Sequence, residues 1–114
     1  MSKDDVRLRH MLDAACEALS FAKGKNRNDL DTDRMLALSL VKCIEIVGEA
    51  AKQITEETAK KSPSIKWKKI KGMRNRLVHA YFDINLDVLW QTVEEDLPKL
   101  VEQLETTLER LNRK

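Results

Sequence analysis

Aromatic residues are scarce, 4% of 114 residues, so aliphatic side chains must fill whatever core the chain builds. Three glycines and two prolines are too few for an all-β fold with its many tight turns. No apolar run approaches the ~20 residues that span a bilayer. The opening Met1-Ser2-Lys3-Asp4-Asp5 is not followed by an apolar stretch, so no signal peptide is expected and a cytoplasmic location is. The two cysteines, Cys16 and Cys43, lie in apolar helical patterns and read as buried free thiols of a reducing compartment rather than a disulfide framework. With no CxxC and no Cys/His cluster, no structural metal site is expected, and no cofactor motif is present.

Hydrophobic residues at 42% and charged residues at 35% suit one globular domain over residues 1–114. The net charge is +2, but residues 60–79 carry eight basic side chains and no acid. The remainder holds 13 basic side chains against 19 acidic ones. Such a basic segment on an otherwise acidic chain suggests an anionic partner. The plainer reading is a solvated, lysine-rich helix face.

Periodicity reads as helix throughout. Leu8, Leu12, Ala15, Leu19 and Ala22 stripe a first helix over about Asp4 to Ala22, stopped at Gly24. A second helix starts near Asp31 or Thr32 and runs to about Thr58. Its stripe is Leu36, Leu40, Cys43, Val47, Ala50 and Ile54, and Leu38, Val41, Ile44, Ile46 and Ala51 widen it nearly all round. Two of its surfaces therefore want covering, either as the buried centre of a bundle or with one of them as a self-association face. Ser62-Pro63 reads as the cap and first residue of a third helix reaching about Tyr81, with Trp67, Ile70, Met73 and Leu77 inward. A last helix spans about Leu86 to Leu111, kinked or split at Pro98. Trp90, Met11, Met35 and Met73 read as core fillers. The expected fold is all-α: an antiparallel up-and-down bundle of four long helices, dimeric through the second.

One stretch carries chemistry: Met73-Arg74-Asn75-Arg76-Leu77-Val78-His79-Ala80-Tyr81-Phe82. On a helix, Arg74 and Tyr81 lie within about 20° of one another, while Arg74 and His79 are about 140° apart. A second copy across a two-fold axis would close that gap. Arginine can fork the non-bridging oxygens of a phosphodiester, and histidine has the near-neutral pKa that moves a proton at the attacking or leaving oxygen. RNA brings its own nucleophile, the 2′-hydroxyl, so neither a protein nucleophile nor a metal is needed.

The chain resembles the HEPN superfamily, specifically the HepT toxins paired with minimal nucleotidyltransferases. Their hallmark, Arg-x4-His-x-Tyr, is matched by Arg74, His79 and Tyr81, with Asn75 as the polar residue after the arginine. Ile46-Val47-Gly48-Glu49-Ala50, Trp67-Lys68-Lys69-Ile70-Lys71-Gly72-Met73 and Asp96-Leu97-Pro98-Lys99-Leu100 extend the likeness over most of the chain. The resemblance implies a dimeric helical bundle with two motifs in one cleft. It implies metal-independent endoribonuclease activity in the toxin of a toxin–antitoxin pair. It further implies a cognate nucleotidyltransferase antitoxin that transfers AMP to the motif tyrosine, Tyr81. Arg74 and His79 would be catalytic and Asn75 accessory, while Lys66, Lys68, Lys69, Lys71 and Arg76 would hold the RNA backbone.

Plainer roles stand beside these. Arg74 would serve as an ion-pair partner for Glu45 or Glu49, two acids that repel each other on one helix unless paired. Tyr81 would be an aromatic cap of the core, His79 a helix-end histidine, and His10 a surface residue with no role. The whole chain would then be a non-catalytic RNA- or protein-binding module. A helix-turn-helix DNA binder fits less well, because the expected helices are long.

Overall fold

The computed structural model describes residues 3–79 and 83–113. Three long helices form the frame: α1 (Lys3–Ala22), α3 (Arg34–Lys52) and α8 (Leu97–Asn112). Short helices connect them: α2 (Asp29–Thr32), α4 (Glu56–Lys60), α5 (Trp67–Lys71), α6 (Met73–Leu77) and α7 (Leu86–Gln91). A minimal ladder, β1 (Val78–His79) with β2 (Asp83–Ile84), pairs antiparallel, Val78 with Ile84 and His79 with Asp83. α1 packs along α3 and α8, and α3 also touches α2, α5, α6 and α7. Leu8, Met11, Leu40, Ile44, Met73, Leu77, Leu89, Leu97 and Leu104 are fully buried between these elements. Among the described residues, no helix is long and apolar enough to cross a membrane.

The stripe expected on the second helix is the buried face of α3 and its continuation: Leu36, Leu40, Cys43, Val47, Ala50 and Ile54 all face the core. Of the residues that widened it, Val41, Ile44 and Ala51 are buried, whereas Leu38 and Ile46 are exposed. Met35, read as a core filler, is 80% exposed beside them, because its position falls on this outer stripe. Gly48 sits where α5 passes α3; a Cβ there would stand 3.6 Å from the carbonyl oxygens of Ile70 and Lys71. That is ordinary van der Waals contact, so the crossing leaves room for a methyl group.

The expected boundaries move where side chains compete for backbone groups. Asp33, not Asp31 or Thr32, caps α3, accepting from the Leu36 N–H at 3.0 Å. The second helix was expected to reach about Thr58 but stops at Lys52. Thr55 adopts an extended conformation there and caps α4, while the Asp4 carboxylate accepts from its N–H (3.2 Å) and hydroxyl (2.6 Å).

The continuous third helix is not formed. Ser62 is buried and pairs with Thr107 at 3.0 Å instead of capping, so Pro63 opens a turn. Helix resumes at Trp67, whose indole N–H is shared between the carbonyls of Ala59 and Ser62. It breaks at Gly72 and gives way at Val78 to the ladder. The four long helices expected are therefore three, plus a broken segment that holds the motif. The expected end of that helix, Tyr81, lies outside the described residues.

The last helix follows expectation, with a detail of its own. Asn85 caps α7 through the Val88 N–H. Pro98 cannot donate a backbone bond, and one turn of π-helix, Thr92–Asp96, precedes it before α8. The cysteines divide. Cys43 is buried, and burial together with the Glu17 carboxylate pushes its thiol up to about 11. Cys16, also expected inside, is exposed on the outer side of α1.

Candidate nucleic-acid interface and active site

α6 is a five-residue helix whose Met73 and Leu77 are buried, which turns its polar residues outward on two sides. Arg74 faces α3. Its Nε lies 3.7 Å from a Glu45 carboxylate oxygen, and it donates to the Asn75 side-chain oxygen at 3.4 Å. Glu49, the other acid weighed as its partner, pairs with Lys52 at 3.6 Å. The second oxygen of Glu45 accepts from Lys42 at 3.0 Å, so this carboxylate spans two cations.

Arg76 turns the opposite way. It donates to the Lys69 carbonyl at 3.2 Å, bridging the Gly72 break. Beside it, exposed His79 on β1 opens onto a groove of about 550 Å³. Lys69, Asn75, Arg76 and His79 line one wall; Val88, Gln91, Thr92, Glu95 and Asp96, from α7 and the π turn, line the other. A second cleft, about 220 Å³, shares Lys69, Glu95 and Asp96 and continues past Lys66, Lys99 and Gln103. Together they make one furrow between the motif segment and the start of α8. A salt bridge between Lys69 and Asp96 (3.2 Å) crosses it.

The motif residues are thus divided. Asn75, Arg76 and His79 share the groove, and Arg74 does not line it. Of the lysines expected to hold RNA, Lys66 and Lys69 line the furrow; Lys68 and Lys71 are exposed outside both clefts. Tyr81 lies outside the described residues. Sequence reasoning passed over Lys99, Gln91, Glu95 and Asp96. Gln91 and Glu95 are four apart on a polar helix face, a signal that was present, but nothing in the spacing said which wall that face would meet.

The chain matches the family described as "Ribonuclease HepT-like" over residues 11–107. It belongs to that family, one of RNA-cleaving enzymes. Curated relatives agree along nearly the whole length. A protein named "Putative RNase" in Methanocaldococcus jannaschii is 36% identical over 107 residues, covering 92% of this chain and 98% of the relative. Another "Putative RNase", from Caldanaerobacter subterraneus subsp. tengcongensis, is 33% identical over 103 residues, 90% of this chain and 92% of the relative. "Probable ribonuclease HepT" of Thermococcus cleftensis is 39% identical over 72 residues, 63% of this chain and 66% of its own. No solved structure matches the HepT-like chain.

Proposed function

We propose that this protein is a metal-independent endoribonuclease that acts as the toxin of a toxin–antitoxin pair. The observation that carries the reading is the groove in which exposed His79 stands beside Arg76, Asn75 and Lys69. A histidine open to solvent beside Arg76 and Lys69, with Glu95 and Asp96 on the facing wall, can move a proton at the attacking or leaving oxygen of a bound phosphodiester. In this reading the 2′-hydroxyl attacks the adjacent phosphorus, a 2′,3′-cyclic phosphate forms as the P–O5′ bond breaks, and one proton leaves the 2′-oxygen while one reaches the departing 5′-oxygen, His79 moving the proton at one of the two. Arg74 stabilises charge on the non-bridging oxygens, and Asn75 orients the arginine it bonds. The remaining cations, Lys66, Lys68, Lys69, Lys71 and Arg76, hold the backbone, so affinity should fall steeply with salt.

Arg74 does not line the groove of its own chain, which favours a site built by two copies. The outer stripe of α3 supports this: Met35, Leu38 and Ile46 are exposed and apolar, and the same helix carries the Glu45 that holds Arg74. A homodimer joined there would cover the stripe and bring Arg74 towards the partner copy. The antitoxin would be a nucleotidyltransferase that places AMP on Tyr81, adding bulk and negative charge that repel RNA phosphates. The cytoplasm is where such an enzyme would meet its substrate.

The test is RNA cleavage in EDTA by protein whose intact mass shows an unmodified tyrosine. Wild type should cut and His79→Ala should not. Binding without cutting by both would favour the non-catalytic RNA-binding reading instead.

A further inference from the structure

The wall of the groove opposite His79 contains an unexpected feature for a phosphate-binding surface: a free carboxylate. Asp96 is neutralised by Lys69 at 3.2 Å, but Glu95, which lines both clefts, makes no hydrogen bond or ion pair among the described residues. Gln91, one turn earlier on the same wall, is equally unengaged. A carboxylate facing only phosphates would weaken binding by repulsion. Facing a base, it can accept hydrogen bonds, and single-stranded RNA offers its unpaired base edges for such contacts.

Guanine alone among the four bases presents two adjacent donors on its Watson–Crick edge, N1–H and the N2 amino group, next to an acceptor, O6. A carboxylate fork matches the two donors, and a carboxamide N–H matches the acceptor. Adenine and cytosine set an amino group beside an acceptor, and uracil sets one N–H between two acceptors. Each leaves one carboxylate oxygen facing a lone pair. The π turn places Glu95 on this wall, and Val88 supplies an apolar surface beside it. At about 550 Å³ the groove is within the size range of clefts that take small ligands.

We propose that Glu95 and Gln91 form a base-reading subsite that selects guanosine next to the phosphodiester cut at His79. The proposal deepens the ribonuclease reading and rests on it for the word "cut"; the binding preference itself does not.

Two measurements keep those apart. In a His79→Ala background, fluorescence anisotropy compares a short oligoadenylate with the same strand carrying one central guanosine. The guanosine strand should bind at least about tenfold tighter, the discrimination expected of a good bidentate contact. Glu95→Gln should abolish that advantage while tightening the plain oligoadenylate, since a negative charge has left the groove. Gln91→Ala should reduce the advantage in part. With cleavage-competent protein, cut sites should fall beside guanosine and scatter in Glu95→Gln. Equal affinity for the two strands, or equal tightening of both in Glu95→Gln, would overturn the subsite. Selective binding without cleavage by wild type would uphold it and refute the nuclease instead.

Discussion

Arg74 and Arg76 stand two residues apart on one short helix and turn to different sides of it. Two helical positions turn the direction by about 200°. Arg74 meets Glu45 on α3, next to an apolar stripe; Arg76 meets the groove that holds His79. A motif spaced in sequence is not yet a site. Within one chain, the arginine that shares His79's groove is Arg76. In the proposed reading, Arg74 would instead meet the His79 of a second copy, which ties catalysis to dimer formation.

Substitutions separate the two sides. The largest separation is expected between the two arginines themselves. Arg74→Ala should lower turnover by about 10²–10³-fold, the usual effect of removing a donor to developing charge, with little change in the salt dependence of binding. Arg76→Ala should act on binding instead, weakening all RNAs alike and reducing the salt slope by about 1. The reverse pattern would place the whole reaction in the groove of a single chain.

Next in size is the apolar stripe. Leu38→Glu with Ile46→Glu should give monomers by light scattering and lose most cleavage, while the furrow keeps its RNA affinity within a few-fold. A variant that stays fully active as a monomer would remove the reason for two copies. Glu45→Ala is expected to matter less. It frees Arg74 at its Nε edge, so turnover should fall several-fold and Glu45→Asp should recover part of it. In an Arg74→Ala background the same change should do almost nothing, because the carboxylate acts through that arginine.

The smallest effect concerns inside against outside. Iodoacetamide should label exposed Cys16 well ahead of Cys43 at neutral pH. The folded Cys43 thiol ionises near 11 rather than at its ordinary 9.0, so its contribution to stability is complete below pH 9.0 and is lost as pH rises through about 11. Urea midpoints measured across that range should fall more in wild type than in Cys43→Ala.

Much of the frame was legible in the sequence because apolar spacing reports burial directly. The buried stripe of Leu36, Leu40, Cys43, Val47 and Ala50 on α3 follows from local pattern alone. Pro98 announced an interruption, and a π turn is the form it takes. What pattern could not show was decided by contacts distant in sequence. Asp4 reaches Thr55 and ends the second helix early, and Thr107 takes the hydroxyl of Ser62 that reads as a cap. Val78 and His79 read as helix by their spacing, yet pair with β2 instead. The site was legible as a set of residue types. Helical spacing already set Arg74 and His79 apart, but the groove itself was not legible, because it depends on a break at Gly72 and on an opposing wall supplied by α7 and the π turn.

The most direct test of a shared site is complementation. Arg74→Ala and His79→Ala chains, each inactive alone, are co-expressed with different tags, and the mixed dimer is purified and assayed for RNA cleavage in EDTA. If Arg74 of one copy works with His79 of the other, the mixed dimer carries one intact pair and activity returns. If a stable mixed dimer forms and cuts no better than either parent, the two residues do not act across copies, and the central claim is wrong.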